Sequence, residues 1–371
     1  MSSTPALFQP TKVGRLTLGH RVVMAPLTRL RASASNVPLP NTIVHYAQRA
    51  STPGTLIITE GTLPHPKVSG KPHVPGIFTA EQKAAWKKVV DAVHAKGSYI
   101  FLQLVGLGRA ASPSYLRSLP DGPFPFAAPS PIPLKSPKEP DVPRELTVEE
   151  IKEIIGMFAS ASHAAVHEVG FDGVELHSAN GYLLDQFLQE NSNHRTDKYG
   201  GSIENRARFN LELLDAVSRV IGQDRIAIRL SPWSEFQDMR MQDPIPQFSY
   251  LVREIKTRFP RLGYIHVIEP RVAGDGSFKV NYVAGMSNDF IRKIWDPKEH
   301  TLISSGGYDR ESAIAQAEET GELIAMGRQF ISNPDLPVRF EHNIPLSPYD
   351  RGTFYVMGDS SPRGYTDYPF A

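Results

Sequence analysis

The sequence has no cysteine, which excludes disulfides, thiolate metal sites, iron–sulfur clusters and a thiol nucleophile. It also lacks an excess of either charge. Forty Lys and Arg stand against 39 Asp and Glu, a formal net charge of +1, with no block of like charge that could follow a phosphate backbone. Nucleic acid is therefore not an expected partner. No apolar run approaches the roughly 20 residues that cross a bilayer, and Met1-Ser2-Ser3-Thr4-Pro5 has neither a basic head nor an apolar core. A cytoplasmic protein without membrane contact is the expectation. What chemistry remains must come from His, Tyr, Arg, carboxylates or a bound cofactor.

Hydrophobic residues make up 40% and charged residues 21% of 371, enough to bury a large core. Short β-branched runs alternate with helical patterns, which implies a parallel sheet. The expected strands are Arg21–Ala25, Thr55–Glu60, Ser98–Leu104, Gly173–Leu176, Ile226–Leu230, Tyr264–Val267, Leu302–Ser305 and Leu323–Ala325. Eight such units predict an α/β fold, a TIM (β/α)₈ barrel, as one domain over residues 1–371. Thr79 with Gln82, and Thr147 with Glu150, have capping-box spacing, and Ser202 is placed to cap a third helix that stops at Gly222. Residues 7–18 read as an N-terminal hairpin over the barrel's opposite mouth. The stretch 105–144 carries ten of the 32 prolines and breaks the rhythm after strand 3. It reads as a lid or rim on the active-site face, with a floppy insertion as the alternative.

In such a barrel the C-terminal ends of the strands converge on one cavity, so polar groups there are the candidates for chemistry. The first strand is followed by Pro26-Leu27-Thr28-Arg29, and Gln103 ends the third. Immediately beyond Glu175-Leu176 come His177, Asn180 and Tyr182. A single His or Asn at a strand end commonly serves structure. As a cluster, however, two neutral donors could polarise a carbonyl or nitro oxygen while a tyrosine supplies a proton. Arg229 on the fifth strand needs an anionic partner, either a ligand or a carboxylate such as Glu60 or Glu175. Gly306-Gly307 and Gly327-Arg328 follow strands seven and eight, where barrels commonly hold phosphate, although glycines there also serve plain turns.

These residues resemble the Old Yellow Enzyme family in its yeast and fungal branch. The resemblance is carried by Met24-Ala25-Pro26-Leu27-Thr28-Arg29, Ile58-Thr59-Glu60-Gly61, the run Gly173 to Phe187, Tyr199 to Arg206, Arg229-Leu230-Ser231-Pro232, Phe330 to Leu336 and Asp367-Tyr368-Pro369. It implies noncovalent FMN, reduced by NADPH and reoxidised by the activated C=C bond of a small alkene (an enone, enal, quinone or nitroalkene) in a ping-pong cycle. By that resemblance Pro26, Thr28, Gly61, Gln103 and Arg229 contact the flavin ring, and Gly307, Gly327 and Arg328 clamp its phosphate. His177 and Asn180 anchor the substrate oxygen, Tyr182 donates the proton, and Phe236 and Tyr355 belong to the substrate pocket.

The sequence departs from the family in several places. Val105 stands where the yeast members usually carry Trp, which should widen one wall, and Gly307 replaces a usual Asn. The span 273–286 matches poorly, leaving Phe278 and Tyr282 as candidates for a second aromatic wall. The sequence ends soon after Tyr368, earlier than the family pattern, where a terminal segment often helps dimer contacts; a monomer or a homodimer is expected. Competing readings are a flavin-dependent alkene isomerase, a metal-dependent barrel hydrolase, and a flavin- or steroid-binding protein without turnover. Tyr182 speaks against isomerisation, and the first strand offers none of the early His ligands a metallohydrolase would use.

Overall fold

The computed structural model describes residues 4–272, 274 and 284–371. Eight parallel strands close into a barrel: β1 (Val22–Met24), β2 (Leu56–Ile58), β3 (Tyr99–Leu104), β4 (Gly173–Ser178), β5 (Ile226–Leu230), β6 (Tyr264–Ile268), β7 (Leu302–Ser305) and β8 (Leu323–Met326). They follow one another around the ring in chain order, and β8 pairs with β1 to close it. All eight expected strands are present, most within one or two residues of the expected ends.

Period-two alternation sorts each strand into two destinations. On β3, Ile100, Leu102 and Leu104 join the layer under the helices, as do Val174 and Leu176 on β4 and Ile226, Ile228 and Leu230 on β5. Their neighbours face the barrel interior. Phe101, Ala227 and Tyr264 form its apolar lower layer together with Val13, Leu16 and Leu18. Those last three belong to an antiparallel hairpin, Thr11–Val13 with Leu16–Leu18, which plugs the N-terminal mouth as expected. One step further along the same strands, the inward positions are Gln103, Glu175, His177, Arg229 and His266. The interior therefore changes from apolar to polar toward the C-terminal mouth.

The surrounding helices are α1 (Asn41–Arg49), α2 (Ala80–His94), α3 (Val148–His163), α4 (Ile203–Ile221), α5 (Ile245–Arg258), α6 (Asp289–Trp295), α7 (Arg310–Thr320) and α8 (Leu336–Glu341). The capping boxes expected at Thr147 and Thr79 both form, and Ser202 accepts from the Asn205 N–H. Residues 105–144 hold a short helix, Pro113–Ser118, and a short strand, Ala127–Ala128, that pairs with Arg144–Glu145. Leu107, Ala111 and Leu116 from this stretch pack with Leu30, Leu63 and Val74 of the loops after β1 and β2.

Candidate active site

The C-terminal mouth opens into a cavity of about 560 Å³. Of the candidate residues, Pro26, Thr28, Gln103, His177, Asn180, Tyr182, Arg229, Phe236, Gly307, Gly327, Arg328 and Tyr355 line it. Gly61 does not. It is buried just behind the wall, where an added Cβ would meet a Val105 methyl at 3.0 Å and the Gln103 Oε1 at 3.5 Å. Phe278 and Tyr282 lie outside the described residues.

His177, the last residue but one of β4, lies opposite Arg229 in register, and both are held by barrel pairing. Burial, reinforced by the Arg229 and His266 charges, holds the His177 pKa well below 6.5, so its imidazole is neutral at pH 7. Its ring meets that of Tyr182 edge-on with centroids 4.9 Å apart. Asn180 takes a left-handed backbone, φ +57°, one residue before Gly181 at φ +74°. That turn is fastened by the Asn180 N–H donating to Ser231 Oγ at 2.7 Å and the Gly181 N–H donating to Asp185 at 2.9 Å. Tyr182 then stands at the residue preceding the short helix Leu183–Leu188. Strand end, left-handed turn and helix start thus bring three candidate side chains into one wall within six residues.

Beneath them runs a buried polar network. Glu175 accepts from Gln103 Nε2 at 2.7 Å and pairs with His266 Nδ1 at 3.0 Å, and the far nitrogen of His266 meets Ser305 Oγ at 2.9 Å. Burial alone would raise the Glu175 pKa. Its His266, Arg229 and Gln103 partners outweigh that and hold it below the ordinary value, so Glu175 stays ionised. His266 lies three residues before Glu269 in the sequence. Its partner is Glu175, and Glu269 pairs with Arg292 instead.

Three polar atoms on this wall are buried without a hydrogen-bond partner: Arg229 Nε, His177 Nδ1 and Asn180 Oδ1. Of the two carboxylates that could have paired with Arg229, Glu175 is taken by Gln103 and His266, and Glu60 accepts the Arg29 backbone N–H at 3.2 Å. Unsatisfied buried groups are costly, and their convergence on one cavity marks a place where a ligand completes the bonding. An electron-rich heterocycle against Arg229 and a phosphate at the β7 and β8 loops fit these groups. Gly306 and Gly307 take φ of +110° and +72°, which L side chains rarely adopt, and Gly327 heads the short helix that begins with Arg328. The Arg328 guanidinium sits 5.7 Å from the Tyr349 ring centre.

Sequence reasoning missed one side of the mouth. Tyr349, Phe354 and Met357 line it from the C-terminal segment, and Lys71, Lys138 and Tyr308 from three other loops. Arg29, which the sequence had grouped with the mouth residues, does not line the cavity. Fully buried, it donates to the carbonyls of Phe354, Thr353 and Gly364 at 3.1, 3.2 and 2.7 Å and thereby straps the C-terminal segment against the barrel. Among the described residues no three His, Asp or Glu side chains form a metal-ligating group, and no helix is long and apolar enough to cross a membrane.

Known proteins resemble this chain over its whole length. Residues 6–347 match the model of the NADH:flavin oxidoreductase / NADH oxidase family. Chanoclavine-I aldehyde reductase of Penicillium roqueforti is 47% identical over 369 residues, covering 98% of this chain and 96% of that protein. A probable inactive reductase of Epichloe festucae var. lolii is 44% identical over 375 residues, covering 100% and 96%. The crystal structure of Old Yellow Enzyme from a Pichia species matches with a TM-score of 0.89 at 38% identity, over 99% of this chain and 94% of that one. A closed barrel with a polar, ligand-seeking C-terminal mouth and a full-length match to flavin reductases agree, and the chain belongs to the NADH:flavin oxidoreductase family of Old Yellow Enzyme type.

Proposed function

We propose that this chain is an FMN-dependent ene-reductase that reduces activated C=C bonds at the expense of NADPH. The observation that carries the reading is the wall formed by His177, Asn180 and Tyr182. It presents buried, unpartnered polar atoms of His177 and Asn180 with a phenol edge-on to the imidazole. FMN, when bound, supplies the hydride chemistry that links the nicotinamide to the alkene. Pro26, Thr28, Gln103 and Arg229, backed by Gly61, would hold its ring, and Gly307, Gly327 and Arg328 its phosphate.

The chain's own residues supply the rest. A neutral His177 N–H and the Asn180 amide would hold the substrate's carbonyl or nitro oxygen, and their bonds strengthen as negative charge develops there. The Tyr182 hydroxyl, beside the anchored oxygen, would give its proton to the α-carbon while hydride reaches the β-carbon. Arg229, cationic at the cavity floor, would favour the anionic form of the reduced ring. Glu175 acts one step away: it fixes the Nε2 end of Gln103, so that Oε1 is the end left for a ligand N–H.

The test is stoichiometry. With purified protein and a simple enone, one NADPH should be consumed per saturated ketone formed. Isomerised alkene without NADPH consumption would favour the isomerase reading. Tyr182 argues against that outcome, since a proton donor commits the intermediate to reduction.

A further inference from the structure

Among the described residues, nine other than glycine take a left-handed backbone, and four of those nine meet at one place. They are Asn180 in the wall, and Gln237, Asp238 and Arg240 in the loop after β5, at φ of +57°, +58°, +58° and +66°. Residues with a Cβ disfavour that conformation, so it persists only where surrounding contacts enforce it, and such strain concentrates at sites that need a fixed shape. Here the contacts form a closed triangle of bonds from side chains to backbone carbonyls.

Its corners are the turn at Asn180 and Gly181, the loop 236–240, and residues 107–109 in the stretch after β3. Gln186 joins the turn to 107–109: its Nε2 donates to the carbonyls of Gly181 and Leu107 at 2.7 and 3.0 Å, and its Oε1 accepts the Arg109 N–H at 3.1 Å. Gln237 joins the loop to the turn, with Nε2 donating to the Asn180 carbonyl at 2.8 Å. Arg109 closes the figure, its Nη2 donating to the carbonyls of Gln237 and Asp238 at 2.9 and 3.3 Å. Loop and turn are in close contact, since a Cβ at Gly181 would sit 2.7 Å from both Gln237 Cβ and Met239 Cγ. Arg109 is buried and does not line the cavity, whereas Asn180 and Phe236, which directly precedes Gln237, both do.

We propose that Arg109 is a positioning residue that fixes Phe236 relative to Asn180 and so sets how broad a substrate the site admits. The inference rests on the reading of Asn180 as the substrate anchor and names the residue that shapes the slot beside it. A guanidinium directed at two carbonyls of a strained loop is the strongest of the three ties, because a charged donor binds a carbonyl more tightly than an amide does. Without it, Gln237 and Asp238 are free to leave the left-handed region, Phe236 moves with them, and the Asn180 carbonyl loses a well-placed donor.

The experiment titrates the oxidised FMN-loaded enzyme with two phenols of different breadth, p-hydroxybenzaldehyde and 6-hydroxy-2-naphthaldehyde, and follows the change in flavin absorbance. In Arg109→Gln the ratio of the narrow ligand's affinity to the broad one's should fall about tenfold, because a loosened slot holds the narrow ligand less well and obstructs the broad one less. A purely structural role would lower the melting temperature and leave that ratio, internal to each folded protein, where it was. Gln237→Met removes a different tie and should move the ratio in the same direction. The double variant should move it no further than Arg109→Gln does, since the ties act as one unit. An unchanged ratio in either variant, or additive shifts in the double, overturns the inference. Should Arg109→Gln fail to fold, Gln237→Met decides alone. A wild type that holds FMN but responds to neither phenol sinks the anchor reading beneath it.

Discussion

His177 and Glu60 show how burial, more than any neighbouring charge, assigns opposite duties to titratable side chains in one fold. His177 is kept neutral and faces the cavity, where a proton on either nitrogen can meet an oxygen. Glu60 is walled off below the first loop and its pKa is raised to about 7, chiefly by desolvation and partly offset by the Arg29 N–H. A carboxyl whose folded pKa lies above its unfolded value contributes stability that is complete below the unfolded value and is lost as pH rises through the folded one. Glu60→Gln should therefore gain on the wild type between pH 5 and pH 8, by on the order of 3 kcal/mol in urea unfolding at the two pH values. Parallel curves for the two proteins would refute this. Tyr182→Phe separates the half-reactions. Flavin reduction by NADPH should persist, while stopped-flow reoxidation by an enone slows about 100-fold. Equal slowing of both half-reactions would remove Tyr182 from the proton step.

Among the elements, those specified by local chemistry were legible from the sequence. The β-branched runs marked all eight strands, and the capping boxes at Thr79 and Thr147 marked two helix starts, because each signal lies within a few residues. The His177 to Tyr182 wall was legible for the same reason: strand, turn and helix start are contiguous. What stayed hidden depends on distant partners. Nothing near Arg29 announces that it holds carbonyls more than 300 residues away, so it looked like a mouth residue. Tyr349, Phe354 and Met357 reach the cavity on a segment that this strap helps to hold, together with Arg31, which donates to the carbonyls of Asp359, Ser361 and Arg363. Gly61 follows its strand as expected, yet Gln103 and Val105 stand in front of it. Arg29→Ala leaves three buried carbonyls without a donor, a loss of about 3 kcal/mol or more. Limited proteolysis read by mass spectrometry should then cut first within residues 349–368. An unchanged cleavage pattern would mean that the strap is held by other contacts.

At the scale of the whole molecule, the hairpin closes one mouth, the apolar layer fills the lower barrel, and the polar layer above leaves unpaired polar atoms at the other mouth. On the proposed function this mouth holds FMN against the His177 and Asn180 pair. The most direct test is the visible absorption spectrum of the purified protein, recorded before and after addition of p-hydroxybenzaldehyde. Flavin bands should be present, a new long-wavelength charge-transfer band should grow with the phenol, and His177→Ala should weaken that binding about tenfold or more. A colourless protein that cannot be reconstituted with FMN, or flavin bands that the phenol leaves unchanged, would contradict the account.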